Sequence, residues 1–311
     1  MSQTAFLFPG QGSQSVGMLD GYADPEGVVE QTLEEANEAL GRDLAGLIRG
    51  GPEVDLNRTE NTQPAMLVAG VAVYRLYERR GGALPTAMAG HSLGEYSALV
   101  AAGSLAFSDA VRLVADRAHF MQEAVPAGQG KMAAILGLDD DAVVGLCQEQ
   151  EEASGRIVRA VNFNAPGQVV VAGEAEAVDA VLSAASDAGA KRAVELPVSI
   201  PSHCPLMQPA AERLAERLAE VSIAPPQVPV INNVDVAAAE EADAIRDALV
   251  RQLANPVQWT ATIAELKERG VERVAELGPG KVLCGLNKRI DRRLPCQPVV
   301  DAASLDELLG A

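Results

Sequence analysis

Ser92 stands between Gly90 and Gly94 in AGHSLGEYSALV, residues 89–100, where an apolar run gives way to a helical one. A GxSxG pattern at such a junction suits a nucleophile. A sharp strand-to-helix turn requires residues without a Cβ on either side of the serine, and it lifts the hydroxyl above the sheet edge. The start of the next helix aims unpaired N–H groups at the same spot. An oxyanion formed on an attacked carbonyl would meet the Leu93 N–H and the positive end of the helix dipole there. The pattern is short, and a chain with 28 glycines can hold it by chance, so its chemistry has to be judged by what else the chain offers.

A serine nucleophile needs a base within hydrogen-bond reach, and the sequence has three histidines. His91 adjoins Ser92, so its side chain should leave the turn in another direction. His119 falls on the polar face of a helix. His203 remains, in SIPSHCPLM at 199–207, just ahead of a helix that Pro205 would open and that runs to about Val221. A helix N-terminus disfavours the imidazolium, which keeps the ring neutral and able to take a proton. A loop histidine by itself is as readily a surface or hydrogen-bonding residue; His203 gains weight from the groups that need such a partner.

Two further residues suit a site. A helix runs from Ser108, a good N-cap, to about Glu123, and Ala110, Val111, Val114, Ala118 and Met121 form its apolar stripe. Arg117 lies inside that stripe, and a buried guanidinium needs an anion. The anion is either an Asp or Glu of the chain or a carboxylate on a substrate. Gln11 sits in PGQGSQSVG, a tight loop after the apolar run Thr4–Phe8. Its glycines resemble a phosphate loop, but the GxGxxG spacing fails and no GK[ST] follows. The other reading makes Gln11 a donor in the site beside the sheet edge.

The elements that hold these residues follow from periodicity. Helices are expected at Val28–Leu40 and Gln63–Arg79, the second apolar on nearly every face as a buried helix is. Leu84–Ala89 leads into the Ser92 turn and Glu95–Ala102 carries the helix after it, with Gly103 as its stop. Strands are expected at Lys131–Leu138, Arg156–Asn162, Gln168–Gly173 and Arg192–Val198, with helices at Asp140–Gln150 and Ala175–Ala188. That βαββαβ order is the split, ferredoxin-like arrangement and suits an insert within a larger domain. NAPGQ, residues 164–168, is a turn between adjacent strands. Beyond the insert come a strand at Pro229–Asn233, a helix at Asp243–Leu253 and a strand at Arg273–Leu277, ending in GPGK, which lacks a P-loop's residues and reads as a turn.

Composition narrows the class. The 311 residues are 48% hydrophobic, enough for a sizeable core, and carry a net charge of −18, which argues against nucleic acid. No apolar stretch reaches the length of a membrane span, and MSQTAFLF enters a strand without a basic leader, so a cytoplasmic protein is expected. Cys147, Cys204, Cys284 and Cys296 are scattered, with no CxxC and no histidine spaced to complete a metal site. They are expected to be reduced thiols, and no metal is expected.

PGQGSQ, GHSLGEYSAL, the Arg117 helix, PSHC and GPGKVL occur here in the order in which they occur in malonyl-CoA:acyl carrier protein transacylases, and nearly the whole chain resembles that family. The resemblance implies an α/β hydrolase-like core, residues 1–126 and 199–311, carrying a ferredoxin-like subdomain at 127–198. It implies ping-pong acyl transfer: Ser92 attacks malonyl-CoA with His203 as base and keeps the malonyl group as an ester. Arg117 would grip the free carboxylate, Gln11 and Leu93 would form the oxyanion hole, and a backbone carbonyl near Gln252 would orient His203. No cofactor is implied, since the phosphopantetheine belongs to acyl carrier protein. Related acyltransferases of polyketide or malonate decarboxylase systems, a malonyl thioester hydrolase and a carrier-binding protein without activity stay open as alternatives. The carrier is itself of an acidic family, which draws attention to the basic run Lys281, Lys288, Arg289, Arg292 and Arg293. On a continuous helix, the last four would share one broad face, either as a docking surface or as a solvated helix.

Overall fold

The computed structural model of the chain describes residues 3–198 and 200–310. It begins with β1 (Thr4–Phe8), then α1 (Val28–Leu40), α2 (Leu44–Gly50), α3 (Glu53–Leu56) and α4 (Thr59–Arg79). β2 (Ala87–Gly90), α5 (Gly94–Ala101) and α6 (Phe107–Ala124) follow. Next are β3 (Gly130–Leu136), α7 (Asp140–Ser154), β4 (Val158–Ala165), β5 (Gln168–Glu174), α8 (Ala175–Asp187) and β6 (Arg192–Glu195). The chain ends with α9 (Gln208–Ala219), β7 (Val230–Ile231), α10 (Ala242–Gln252), α11 (Trp259–Glu268), β8 (Arg273–Leu277), α12 (Val282–Ile290), β9 (Cys296–Val299) and α13 (Ala302–Leu309).

These elements build an α/β fold on two sheets. One is parallel throughout, with strand order β7-β2-β1-β8-β9. Its central strand β1 is almost wholly apolar and buried, as a strand covered on both faces must be. The second sheet is antiparallel, with order β4-β5-β3-β6, and α7 and α8 pack on it around a separate apolar cluster that includes Val143, Val158, Val169, Val178 and Val181. Gly167, with φ 70°, makes the tight turn from β4 to β5.

α4 is buried on nearly every face and packs against α5 and α6. It begins at Thr59, ahead of the expected Gln63, and takes Pro64 into its second turn. Proline leaves the Glu60 carbonyl without its helical donor. Arg42 supplies one, its Nη2 donating to that oxygen at 3.0 Å.

Several expectations need correction. Ser108 is not the cap of α6; that position is Ala106, and the Ser108 hydroxyl instead donates to Glu35 Oε1 at 2.9 Å. β7 has two residues because Asn232 Oδ1 accepts the amides of Val234 and Asp235, turning the chain away from the sheet. α12 stops at Ile290, where Asp291 is extended (φ −143°, ψ 108°), so Arg292 and Arg293 lie in the following turn and share no helical face with Lys288 and Arg289. Cys284 and Cys296 are not free thiols. The turn after α12 folds β9 back beside it, brings their Cα atoms to 5.2 Å, and joins them in a disulfide. Cys147 and Cys204 are free, and burial pushes each thiol up to about 12.

Candidate active site

β1 and β2 end side by side, Phe8 facing Gly90, and the loops leaving them carry Gln11 and Ser92 to the same edge of the sheet. The turn at Ser92 is tight enough to exclude side chains on either side. A Cβ on Gly90 would lie 1.8 Å from the Gly94 carbonyl carbon, and one on Gly94 would lie 2.0 Å from the Phe8 carbonyl oxygen. Ser92 itself has φ 51°, a left-handed conformation that costs a non-glycine residue about 1 to 3 kcal/mol. The surrounding hydrogen bonds therefore have to hold it.

Ser92 Oγ lies 2.8 Å from His203 Nε2, and the other ring nitrogen, Nδ1, lies 2.8 Å from the Gln252 carbonyl oxygen. A carbonyl can only accept, so Nδ1 carries the proton and Nε2 presents its lone pair to the serine hydroxyl. His203 is buried, and that burial, followed by the positive charge of Arg117, pushes its pKa down to about 3. Only a short turn, Pro205–Met207, follows His203 before α9, so burial and Arg117 keep the ring neutral in place of a helix dipole. The ring is thus a neutral proton acceptor across the physiological range.

The same shift bears on stability. An unfolded chain protonates this ring as pH falls through 6.5, and the folded chain does so only near 3, so the folded state loses stability as pH falls over that interval. We expect the melting temperature of His203→Gln to fall less steeply below pH 6.5 than that of the wild type. Equal slopes in paired thermal melts would remove His203 from the acid response.

Arg117 on α6 is buried, and its three hydrogen bonds go to Gln63 Oε1 at 2.6 Å, Ser92 Oγ at 3.1 Å and Gln252 Oε1 at 3.0 Å. None of these acceptors is a carboxylate. Its Nε has no partner, and the guanidinium lies 5.5 Å from the centre of the Tyr96 ring. Glu95 is the nearby acid, and burial raises its pKa to about 7 while the Asn233 amide, the Gln252 carboxamide and Arg117 hold it down. A cationic, solvent-poor patch is therefore set beside the serine hydroxyl with room for an anion.

The cavity over these groups has a volume of about 190 Å³, and its lining joins Gln11, Ser92, Leu93, Arg117 and His203 to Met132, Asn162, Val170 and Leu196 of the antiparallel-sheet region. The backbone amides of Gln11 and Leu93 donate to no other group among the described residues. His91 turns aside, its Nε2 lying 2.8 Å from Asn164 Oδ1 and its ring 5.3 Å from that of Trp259.

Three side chains take part whose roles carry no local mark in the sequence. Gln63 accepts from Arg117, the Gln252 side chain bridges Arg117, the Ser92 carbonyl and Glu95, and Asn233 bonds both sides of the serine turn. The sequence places Gln63 only at the start of a helix, Gln252 only through its backbone, and Asn233 only at the end of a strand. None of the three stands out by type: Gln63, for one, follows Thr59–Thr62 at the polar head of α4 and does not interrupt its apolar run. The basic run lies elsewhere, at the surface: Lys281, Lys288, Arg289, Arg292 and Arg293 are all exposed.

Residues 5–295 match the model of the acyl transferase domain family. The malonyl CoA-acyl carrier protein transacylase of Salmonella typhimurium is 56% identical over 309 residues, covering 99% of both chains, and that of Bacillus subtilis is 45% identical over 306 residues, covering 98% of this chain and 96% of its own. Among solved structures, an acyl carrier protein S-malonyltransferase from Vibrio cholerae superposes with a TM-score of 0.96 at 53% identity over 99% of this chain and 100% of that one. A malonyl-transacylase in complex with a type II polyketide acyl-carrier protein does so with a TM-score of 0.97, also at 53% identity, over 99% of each chain. The chain belongs to the acyl transferase family, among the malonyl-CoA:acyl carrier protein transacylases.

Proposed function

We propose that the chain moves a malonyl group from coenzyme A to the phosphopantetheine thiol of acyl carrier protein through an ester on Ser92. The observation that carries this reading is a buried guanidinium, bonded to no carboxylate among the described residues, 3.1 Å from the serine hydroxyl. Ser92 Oγ attacks the thioester carbonyl while its proton passes to His203 Nε2. The oxyanion is received by the amides of Leu93 and Gln11, and Arg117 pairs with the free carboxylate of the malonyl group. Collapse breaks the carbon–sulfur bond, and the proton on His203 leaves with the coenzyme A thiol. The carrier's thiol then gives its proton to His203 and attacks the ester; collapse breaks the bond between Oγ and the malonyl carbon, and His203 returns the proton to Oγ, regenerating Ser92. The Gln252 carbonyl keeps the imidazole in the required tautomer. No cofactor of the enzyme's own enters these steps.

The test is the intact mass of the protein after mixing with malonyl-CoA, with free malonate measured in the presence and absence of carrier protein. One malonyl group per chain, transferred on adding the carrier, supports the reading. Rapid malonate release without a carrier would make the chain a hydrolase. The structural neighbour bound to a polyketide carrier favours a second setting for the same chemistry. Fatty acid synthesis is our preferred pathway, and parallel assays with carriers of both kinds separate the two.

We also read the fold as an α/β hydrolase-like core, residues 1–126 and 199–311, with a ferredoxin-like subdomain at 127–198; the strand orders support this, and the boundary at 199 falls outside the described residues. A cytoplasmic location is proposed; among the described residues no helix is long and apolar enough to cross a membrane.

The carrier is proposed to dock at Lys281, Lys288, Arg289, Arg292 and Arg293. Opposite charge there would offset the repulsion expected from a net charge of −18. Arg289→Glu combined with Arg293→Glu is expected to raise KM for the carrier by about tenfold at low salt and to flatten its salt dependence, leaving Ser92 malonylation unchanged. Carrier kinetics identical to wild type at low salt would remove this surface.

A further inference from the structure

The ladder between β2 and β7 is short: Met88 faces Val230 and Ala89 faces Ile231. Extended by two residues, that register sets Asn233 opposite His91. In a parallel ladder the residue in that place donates its N–H to the carbonyl before its partner and accepts from the amide after it. The phase is right for this, since the Met88 amide donates to the Pro229 carbonyl two rung-pairs earlier. The two groups to be bonded are then the Gly90 carbonyl and the Ser92 amide.

Both are bonded, but not by backbone. The chain has already turned away at Asn232, and the Asn233 amide donates to Glu95 Oε2 at 2.9 Å instead. The Asn233 side chain fills both places. Its Nδ2 donates to the Gly90 carbonyl at 2.7 Å, and its Oδ1 accepts the Ser92 N–H at 2.7 Å. Asn233 is itself fully buried, so water does not compete for either bond.

We infer that Asn233 is a positioning residue for the nucleophile: its carboxamide replaces the missing rung of the ladder and clamps the left-handed turn from both sides. The clamp turns the Ser92 amide toward Asn233, leaving the Leu93 amide to face the cavity, and keeps Oγ on His203. An aspartate in its place would still accept from Ser92 but would set an oxygen against the Gly90 carbonyl. An alanine would supply neither bond.

The inference rests on Ser92 being the malonyl acceptor, and the experiment separates the two. Single-turnover malonylation is followed in the wild type, Asn233→Ala and Asn233→Asp, with the rate constant taken per serine acylated at the end point. An unfolded fraction then lowers the amplitude and not the rate constant. Asn233→Asp, close in shape, serves where the alanine variant does not fold. The rate constant is expected to fall about 10- to 100-fold, with KM for malonyl-CoA within about twofold of wild type because Asn233 holds no part of Arg117. A wild-type rate constant, whatever the amplitude or melting temperature, overturns the inference, as does a loss carried wholly by KM. Failure of the wild type to take up malonyl would instead overturn the assignment of Ser92.

Discussion

Ser92→Ala is expected to fold with the stability of the wild type and to form no malonyl adduct, with transfer to the carrier lower by about 10⁴-fold or more. Oγ is the only group of Ser92 that the chemistry consumes. The turn is held through its backbone, by the bonds from the Ser92 amide to Asn233 and from the Gln252 carboxamide to the Ser92 carbonyl, and alanine keeps both. Removal of the hydroxyl leaves His203 Nε2 and one Arg117 donor without their Oγ partner, at a cavity that water can enter. Mass measurement after incubation with malonyl-CoA decides the matter. A covalent adduct on the variant would move the nucleophile elsewhere.

Arg117→Ala is expected to reduce kcat/KM for malonyl-CoA by about 30- to 1000-fold, equivalent to about 2 to 4 kcal/mol, while costing acetyl-CoA far less. The asymmetry follows from charge. Malonyl brings a carboxylate that only the guanidinium can match, whereas acetyl brings none. Both substrates lose the hydrogen bond from Arg117 to Oγ, so a smaller loss common to the two is also expected. Since Arg117 bonds no carboxylate among the described residues, its removal strands none of their buried acids by a direct bond. Equal losses for the two acyl groups, measured with the same purified variant, would assign Arg117 to the support of Ser92 rather than to substrate choice.

What was legible in the sequence depended on how local its cause is. The Ser92 turn announces itself because glycine is needed at two fixed offsets from the serine, and Arg117 because a charge interrupts an apolar helical stripe. Both signals sit within a few residues. Asn233 left no such mark, since its role depends on the register between β2 and β7, which join parts of the chain far apart. The Cys284–Cys296 bond was missed for a related reason: a twelve-residue spacing says nothing until the turn after α12 is known. β9 was overlooked because CQPV contains a proline, which an edge strand tolerates and a sequence reading penalises. α13 could have been found from Asp301 and Ser304, which form its capping box.

The place of β1 bears on how the molecule is made. Ala5 pairs beside Ala87 on one side and beside Val274 on the other, so β1 gains its second neighbour only from a strand synthesised long after it. Until then one edge of this apolar strand is open, in a parallel sheet whose distant pairings make it slow to close. The strands β3 to β6 pair with one another within residues 130–195, save for a parallel bridge from Asn162 of β4 to Val257, and can form while the flanking halves are still incomplete. Nascent chains that stop short of Arg273 therefore carry a finished small sheet and an unfinished large one, and the exposed flank of β1 makes them the species for which chaperones and aggregation compete.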